Sequence, residues 1–188
     1  MRGEKNKMNK ELKKSYRVYA AWNYKKEEDY INENGKNGWQ LLKGGCFHSI
    51  YEEDNSKKYV YRIDYNPETM RESIEKRRYI EMFEDLGWEY INSTFNGWNY
   101  FKKEYNENSD ASEYEIYTDS SSYAEMLSKW CKLGKCGFVI MLFYSFLYAY
   151  LAIKERSILL AIEDIAFWAI LIWIKRGLNI MNKKINNQ

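Results

Sequence analysis

The sequence predicts an α+β chain in which a unit of one helix and three antiparallel strands is duplicated, followed by a C-terminal two-helix transmembrane hairpin. Three observations predict it. Tyr30-Ile31 and Gly38-Trp39 recur as Tyr79-Ile80 and Gly87-Trp88 at an offset of 49 residues, and repeats of this length are duplicated supersecondary units. After each glycine the apolar pattern changes from helical spacing to the residue types of strands. Beyond Lys135, the runs Cys136 to Ile153 and Ser157 to Ile174 are each long enough for roughly 27 Å of helix, close to the ~30 Å hydrocarbon core of a bilayer. The expected organisation is a basic N-terminal tail over 1–15, a cytosolic duplicated α+β domain over 16–132, and the hairpin with a basic C-terminal tail over 133–188.

Taken in order, MRGEKNKMNKELKKS is basic and has no apolar stretch of signal-peptide length. It reads as a solvated tail or as a polybasic segment on anionic headgroups. SYRVYAAWNY then looks like a strand. The first copy opens with the helical stretch KKEEDYINENGKNG, and the second with PETMRESIEKRRYIEMFEDLG, where Pro67 suits a first turn and Ile74, Ile80, Phe83 and Leu86 form an apolar stripe. Gly38 and Gly87 stand where a helix needs a positive φ to turn into a strand. WQLLKGG, CFHSIYEE and KKYVYRIDY follow in one copy, and WEYINSTF, GWNYFKKEY and SEYEIYTD in the other, all rich in strand formers. Asn96-Gly97 is a two-residue hairpin signal. SSSYAEMLSKWCKL then reads as a serine-capped helix leading into the first apolar run, with Gly134 and Gly137 marking a weak point.

Charge narrows the function classes. Up to Lys135 the chain carries 23 Lys and Arg against 24 Asp and Glu, a balance that lacks the basic footprint of nucleic-acid binding. The mean hydropathy of −0.70 reflects this polar part and conceals the apolar runs. Lys129, Lys132 and Lys135 precede the first run, and Lys175, Arg176, Lys183 and Lys184 follow the second. The positive-inside rule therefore expects a multi-pass cell-membrane protein with both termini cytoplasmic. Cys46, Cys131 and Cys136 form no even framework, and His48 is the chain's only histidine, so neither a disulfide scaffold nor a metal site is expected.

The candidate sites are few. Trp98, Tyr100 and Phe101 share one strand, and because successive side chains alternate between faces at least one is expected to be exposed as a partner contact. Asp64 and Asp119 close the expected third strands. They read as turn and helix caps, or as two acids holding a cation or a basic side chain. No phosphate loop, paired nucleophile and base, or H-E-x-x-H occurs, so an enzyme is not expected and no cofactor is implied. Glu163 and Asp164 interrupt the second apolar run, and an acid at a span centre costs about 2.5–3.5 kcal/mol. In an antiparallel hairpin they lie within a turn of Tyr144, Ser145 and Tyr148, whose hydroxyls can donate to them. An internal packing network, a self-association surface and an ion pathway all stay open for these acids.

The order Gly38-Trp39, the Y-x-Y-R-x-D-Y of Tyr59 to Tyr65, the Y-x-x-x-F-x-x-x-G-W of Tyr79 to Trp88, the strand from Trp98, and Ile116 to Asp119 resembles an uncharacterised bacterial family, domain of unknown function 2812, over roughly residues 16 to 125. The resemblance implies a cytosolic domain joined to C-terminal membrane helices, frequently encoded beside PadR-type transcriptional regulators, with no established activity. The expectation is a membrane-tethered regulator or adaptor that binds a protein, with a PadR-type regulator implied by the resemblance. The alternative is a small transport or immunity component that oligomerises through the hairpin around Glu163 and Asp164.

Overall fold

The computed structural model describes residues 11–117 and 119–187, and its backbone contacts divide the chain into two units. Of the described residues, the first comprises 11–19 together with Asn23–Ile116, and the second Ala20–Trp22 together with 117 and 119–187. The first ten residues of the expected tail lie outside the described residues.

The first unit is a mixed α+β body with two three-stranded antiparallel sheets. Strands β1 (Leu12–Ser15), β2 (Trp39–Lys43) and β3 (Ser49–Glu53) form one sheet in the order β1-β3-β2. Strands β4 (Tyr59–Tyr65), β5 (Glu89–Ser93) and β6 (Trp98–Glu104) form the other in the order β4-β6-β5. Helix α1 (Tyr24–Lys36) joins β1 to β2, and α2 (Ile74–Asp85) joins β4 to β5. The duplication is real, but its unit is strand-helix-strand-strand. Each copy opens with a strand that returns beside its own last strand, so the phase differs from the expected helix and three strands.

Three expectations are corrected by this shift. KKYVYRIDY does not close the first copy, since β4 pairs with β6 from Tyr59↔Glu104 to Tyr65↔Trp98. SEYEIYTD forms no strand among its described residues: a 3-10 turn over Ala111–Tyr114, closed by a capping box between Asp110 and Glu113, takes its place. SYRVYAAWNY is not the opening strand either. That role falls to Leu12–Ser15, within the expected tail, paired with β3 from Leu12↔Glu52 to Ser15↔Ser49.

The helix ends follow local chemistry. Ser73 caps α2 by accepting from the Lys76 amide, and Gly38 and Gly87 adopt φ of 83° and 81° just past the two helices, as the sequence predicts. The β5–β6 connection is longer than the two residues expected of Asn96-Gly97. Thr94 N–H donates to Trp98 O at 2.7 Å, and Gly97 turns the chain at φ 88°.

Packing explains why Trp98, Tyr100 and Phe101 are all buried, at 7%, 3% and 0% exposure, where one exposed ring was expected. β6 is the central strand of its sheet, and both faces are covered. Phe101 faces α2 and packs with Phe83 at 4.3 Å between ring centroids, with Trp88 in the same core. On the other face α1 supplies Tyr24, stacked on Trp98 at 5.2 Å, and Glu27, which accepts from the Tyr100 hydroxyl at 2.7 Å. The first copy thus closes the face that an isolated second copy would leave open.

The second unit is a helical hairpin of α3 (Ser120–Glu155) and α4 (Ile158–Asn186). Asp119 caps α3, accepting from the Ser122 amide at 2.8 Å, and Arg156 turns the chain between the helices at φ 49°. α3 runs unbroken through Gly134 and Gly137. No weak point forms at Gly134 because it packs against α4, where a Cβ would meet Leu178 Cδ2 at 3.0 Å, and small residues of this kind let helices approach closely. α4 continues past Lys175-Arg176, so the expected C-terminal tail is helical up to Asn186. Residues 20–22 join this unit through Trp22. Its ring packs on Trp173 at 4.5 Å and occupies the space a Cβ on Gly177 would need.

Among the described residues α3 is the helix long and apolar enough to cross a membrane. α4 does not reach that mark, because Glu163 and Asp164 interrupt its apolar run and Lys175-Arg176 close it.

Removing a fully buried aromatic ring leaves a cavity as well as lost transfer energy. Phe101→Ala is expected to destabilise the α+β unit by about 3–5 kcal/mol, read as a lower unfolding midpoint of the full-length protein in detergent. A loss below about 1 kcal/mol would show that the second face is not covered as described.

Candidate functional site

The site is built from the polar side of α1. Tyr24, Glu28, Ile31 and Gly35 are all buried on this helix, an i, i+4, i+7, i+11 stripe in which Glu28 is the one charged member. β4 is an edge strand, and its outward amides need partners. α1 provides them with side chains. Ile63 N–H donates to Glu28 Oε2 at 2.9 Å, Tyr61 N–H donates to Asn32 Oδ1 at 2.9 Å, and Asn32 Nδ2 donates to Tyr61 O at 3.0 Å. The match is geometric: four residues of helix advance about 6 Å and two residues of strand about 6.7 Å. Glu28 and Asn32 therefore reach Ile63 and Tyr61 as a neighbouring strand would.

Arg62 lies between those two positions. Its Nη1 sits 3.6 Å from Glu28 Oε1 and its Nη2 donates to Glu115 Oε1 at 2.9 Å. Glu28 also accepts from Lys25 Nζ at 3.0 Å. The Arg62 Nε–H is buried and meets no acceptor, although an unsatisfied buried donor costs about 1–3 kcal/mol. Glu115, by contrast, has a side chain 53% exposed, so it is the replaceable partner of the guanidinium.

Beside Arg62 opens a groove of about 680 Å³, with Tyr59, Tyr105 and Tyr114 among its walls and Lys36 and Lys58 also lining it. Tyr105 and Tyr114 are held in place: their rings pack at 5.6 Å, and the Tyr114 hydroxyl accepts from Asn106 N–H at 2.7 Å. Asp29 and Glu115 stand in the same lining as Lys36, Lys58 and Arg62, so the groove is mixed in charge with one cation in excess, and its flat aromatic surface suits a protein segment. No histidine or cysteine lines the groove. Among the described residues no three His, Cys, Asp or Glu side chains converge as metal ligands do.

Near Tyr100 a second buried feature appears. Burial pushes the Glu27 carboxyl up to about 7, with the Tyr100 hydrogen bond pulling the other way. Burial and the neighbouring Glu27 charge raise the Tyr100 phenol well above its ordinary value. Cys46 donates to Asn96 Oδ1 at 3.2 Å and His48 packs on Tyr16 at 6.0 Å, so each has a packing role.

The residues singled out from sequence divide between the units. Asp64 is 4% exposed, in β4, and accepts from the Tyr79 hydroxyl. Asp119 caps α3, and the Ser121 hydroxyl with the Ser122 amide holds its carboxyl down at about 2. The strand equivalence that paired these two acids does not hold, because SEYEIYTD contributes no strand. In the hairpin Ser145, fully buried, donates to Asp164 Oδ1 at 2.5 Å. Tyr148 packs on Phe167 at 5.3 Å, while Tyr144 and Glu163 are exposed.

The family model described as Protein of unknown function (DUF2812) matches residues 23–140. The chain belongs to the DUF2812 family. In this DUF2812 chain the match runs from the start of α1 into the apolar part of α3, so it takes in Glu28, Asn32, Arg62 and the whole groove. No curated protein and no solved structure matches.

Glu27 makes stability depend on pH. Its folded value lies above that of an unfolded carboxyl, so the native state holds the extra proton between about pH 4.5 and 7. The stabilisation is complete below that window and is lost as pH rises through it. Wild-type stability is expected to fall by about 2–3 kcal/mol from pH 5 to pH 8, and Glu27→Gln is expected to be flat over the same range. Parallel pH profiles for the two proteins, measured by denaturant unfolding in detergent, would contradict the assignment.

Proposed function

We propose that this protein is a membrane-anchored, non-enzymatic binding module. In this reading α3 and α4 cross the bilayer as a pair with both ends cytoplasmic, and the α+β unit offers its Arg62 groove to an acid-bearing segment of a cytosolic protein. The observation that carries the reading is an inversion of burial along the hairpin. Between Ser120 and Lys135, and again beyond Lys175, the buried side chains are apolar (Met126, Leu127, Leu178, Met181), and Lys129, Lys132, Lys135 and Lys183 are exposed. Between those limits Phe143, Phe146, Ile153, Ile158 and Ile165 are exposed, and the buried side chains are Ser145, against Asp164, and Leu171. Water favours the first arrangement and hydrocarbon the second. The apolar stretch of α3 has only 6% of its residues buried, which argues against a core helix of a soluble domain.

The Arg62 Nη2 held by an exposed Glu115, with Lys36 and Lys58 beside it, supports capture of a carboxylate that takes Glu115's place. A PadR-type transcriptional regulator, implied by the family resemblance, is the partner proposed. Tethering acts as a switch if the partner binds differently in two states, with no chemistry required. One observation favours the second reading, an oligomeric transport or immunity component: Glu163 is exposed among apolar side chains with no partner among the described residues. An acid so placed calls for another copy to cover it.

The test is made on the full-length protein in cells. It is expected to stay in the membrane pellet after alkaline carbonate extraction, and a photo-crosslinker at Tyr59 is expected to capture one defined protein. Arg62→Gln should lower that yield about ten-fold, the effect of losing a charge-assisted contact. Release into the supernatant, or capture unchanged by Arg62→Gln, would overturn the reading.

A further inference from the structure

We infer that the cytoplasmic end of α4 carries a binding site for an anionic phospholipid. This rests on the membrane reading above and adds a specific ligand to it. Ile172, Lys175, Arg176, Asn179, Ile180 and Lys183 line a cleft of about 440 Å³. Their spacing, three or four residues apart and repeated, puts them along one stripe of the helix. The lining holds three cations and no acid. Among the described residues Lys175, Arg176 and Lys183 have no carboxylate partner, whereas Lys129 on α3 is paired with Glu125 at 3.0 Å and the Lys184 ammonium donates to Trp22 O.

Position selects the ligand. Lys175 and Arg176 follow directly on the apolar run that ends at Ile174, so in a bilayer they lie at the depth of the phosphates. Ile172 extends the cleft toward the acyl region. Lys183 stands two turns further, about 12 Å along the axis, within reach of the headgroup through its flexible stem. A phosphate with two acyl chains satisfies both parts of the cleft: the oxygens take the guanidinium and ammonium donors, and the chains continue along Ile172. A soluble phosphate satisfies only the first part.

The experiment uses the full-length protein in vesicles of phosphatidylcholine containing a minor fraction of phosphatidylglycerol, with co-purifying lipid counted by native mass spectrometry. Phosphatidylglycerol is expected to be retained far above its share of the bilayer, and excess inorganic phosphate should not displace it. Joint substitution of Lys175→Gln, Arg176→Gln and Lys183→Gln should weaken retention about a hundred-fold, roughly five-fold per charge. The charge-keeping set Lys175→Arg, Arg176→Lys and Lys183→Arg should retain the lipid, which separates loss of charge from misfolding. Equal retention of the two lipids, retention by the neutralised variant, or displacement by inorganic phosphate overturns the proposal. Vesicle flotation of the same samples keeps the two readings apart. Protein that floats without lipid preference refutes this site alone, and protein that does not float refutes the membrane reading as well.

Discussion

An edge strand closed by helix side chains is the constraint on which the α+β unit depends. β4 pairs with β6 on one side only, and its other side would expose the Tyr61 and Ile63 amides to competing strands. Glu28 and Asn32 occupy that side as a substitute strand. Once α1 is held there, the face of the second sheet bearing Trp98 and Tyr100 is covered, Glu27 is carried into its half-buried place beside Tyr100, and Arg62 is left between a buried acid and an exposed one. The groove follows from this arrangement. It lies where the substitute strand ends and the turn at Ala111–Tyr114 begins, so its charged and aromatic lining comes from parts of both copies.

The hairpin is built on a different burial pattern. Its basic ends are built as a water-exposed helix pair is, with Met126, Leu127, Leu178 and Met181 inside. Its apolar stretch reverses that pattern and places the Ser145–Asp164 hydrogen bond inside. A buried polar contact and close approach at glycine bring the two helices together. Gly134 of α3 beneath Leu178 of α4 supplies that closeness near the basic ends, while Gly177 makes room for Trp22 of the turn at Ala21–Asn23.

Much of this was legible in the sequence, for physical reasons that can be named. The duplication, both helices of the repeat, the positive φ at Gly38 and Gly87, and a hydroxyl donor for an acid of the second apolar run all follow from local chemistry. Three things did not. The phase of the repeat was hidden because KKYVYRIDY reads as a strand whichever sheet it joins, and pairing is a long-range choice. The burial of Trp98, Tyr100 and Phe101 together was hidden because alternation speaks of two faces and not of what covers each. Glu28, Asn32 and Arg62 were missed although a signal existed: an acid inside the stripe of Tyr24, Ile31 and Gly35 marks a charge with buried partners.

The most direct test of the central claim is amide hydrogen exchange at Tyr61 and Ile63, followed residue by residue by NMR in the full-length protein. If Glu28 and Asn32 act as the missing strand, both amides exchange as slowly as those of β6, and Asn32→Ala accelerates Tyr61 far more than Ile63. Wild-type exchange at the rate of an open strand edge would contradict the account.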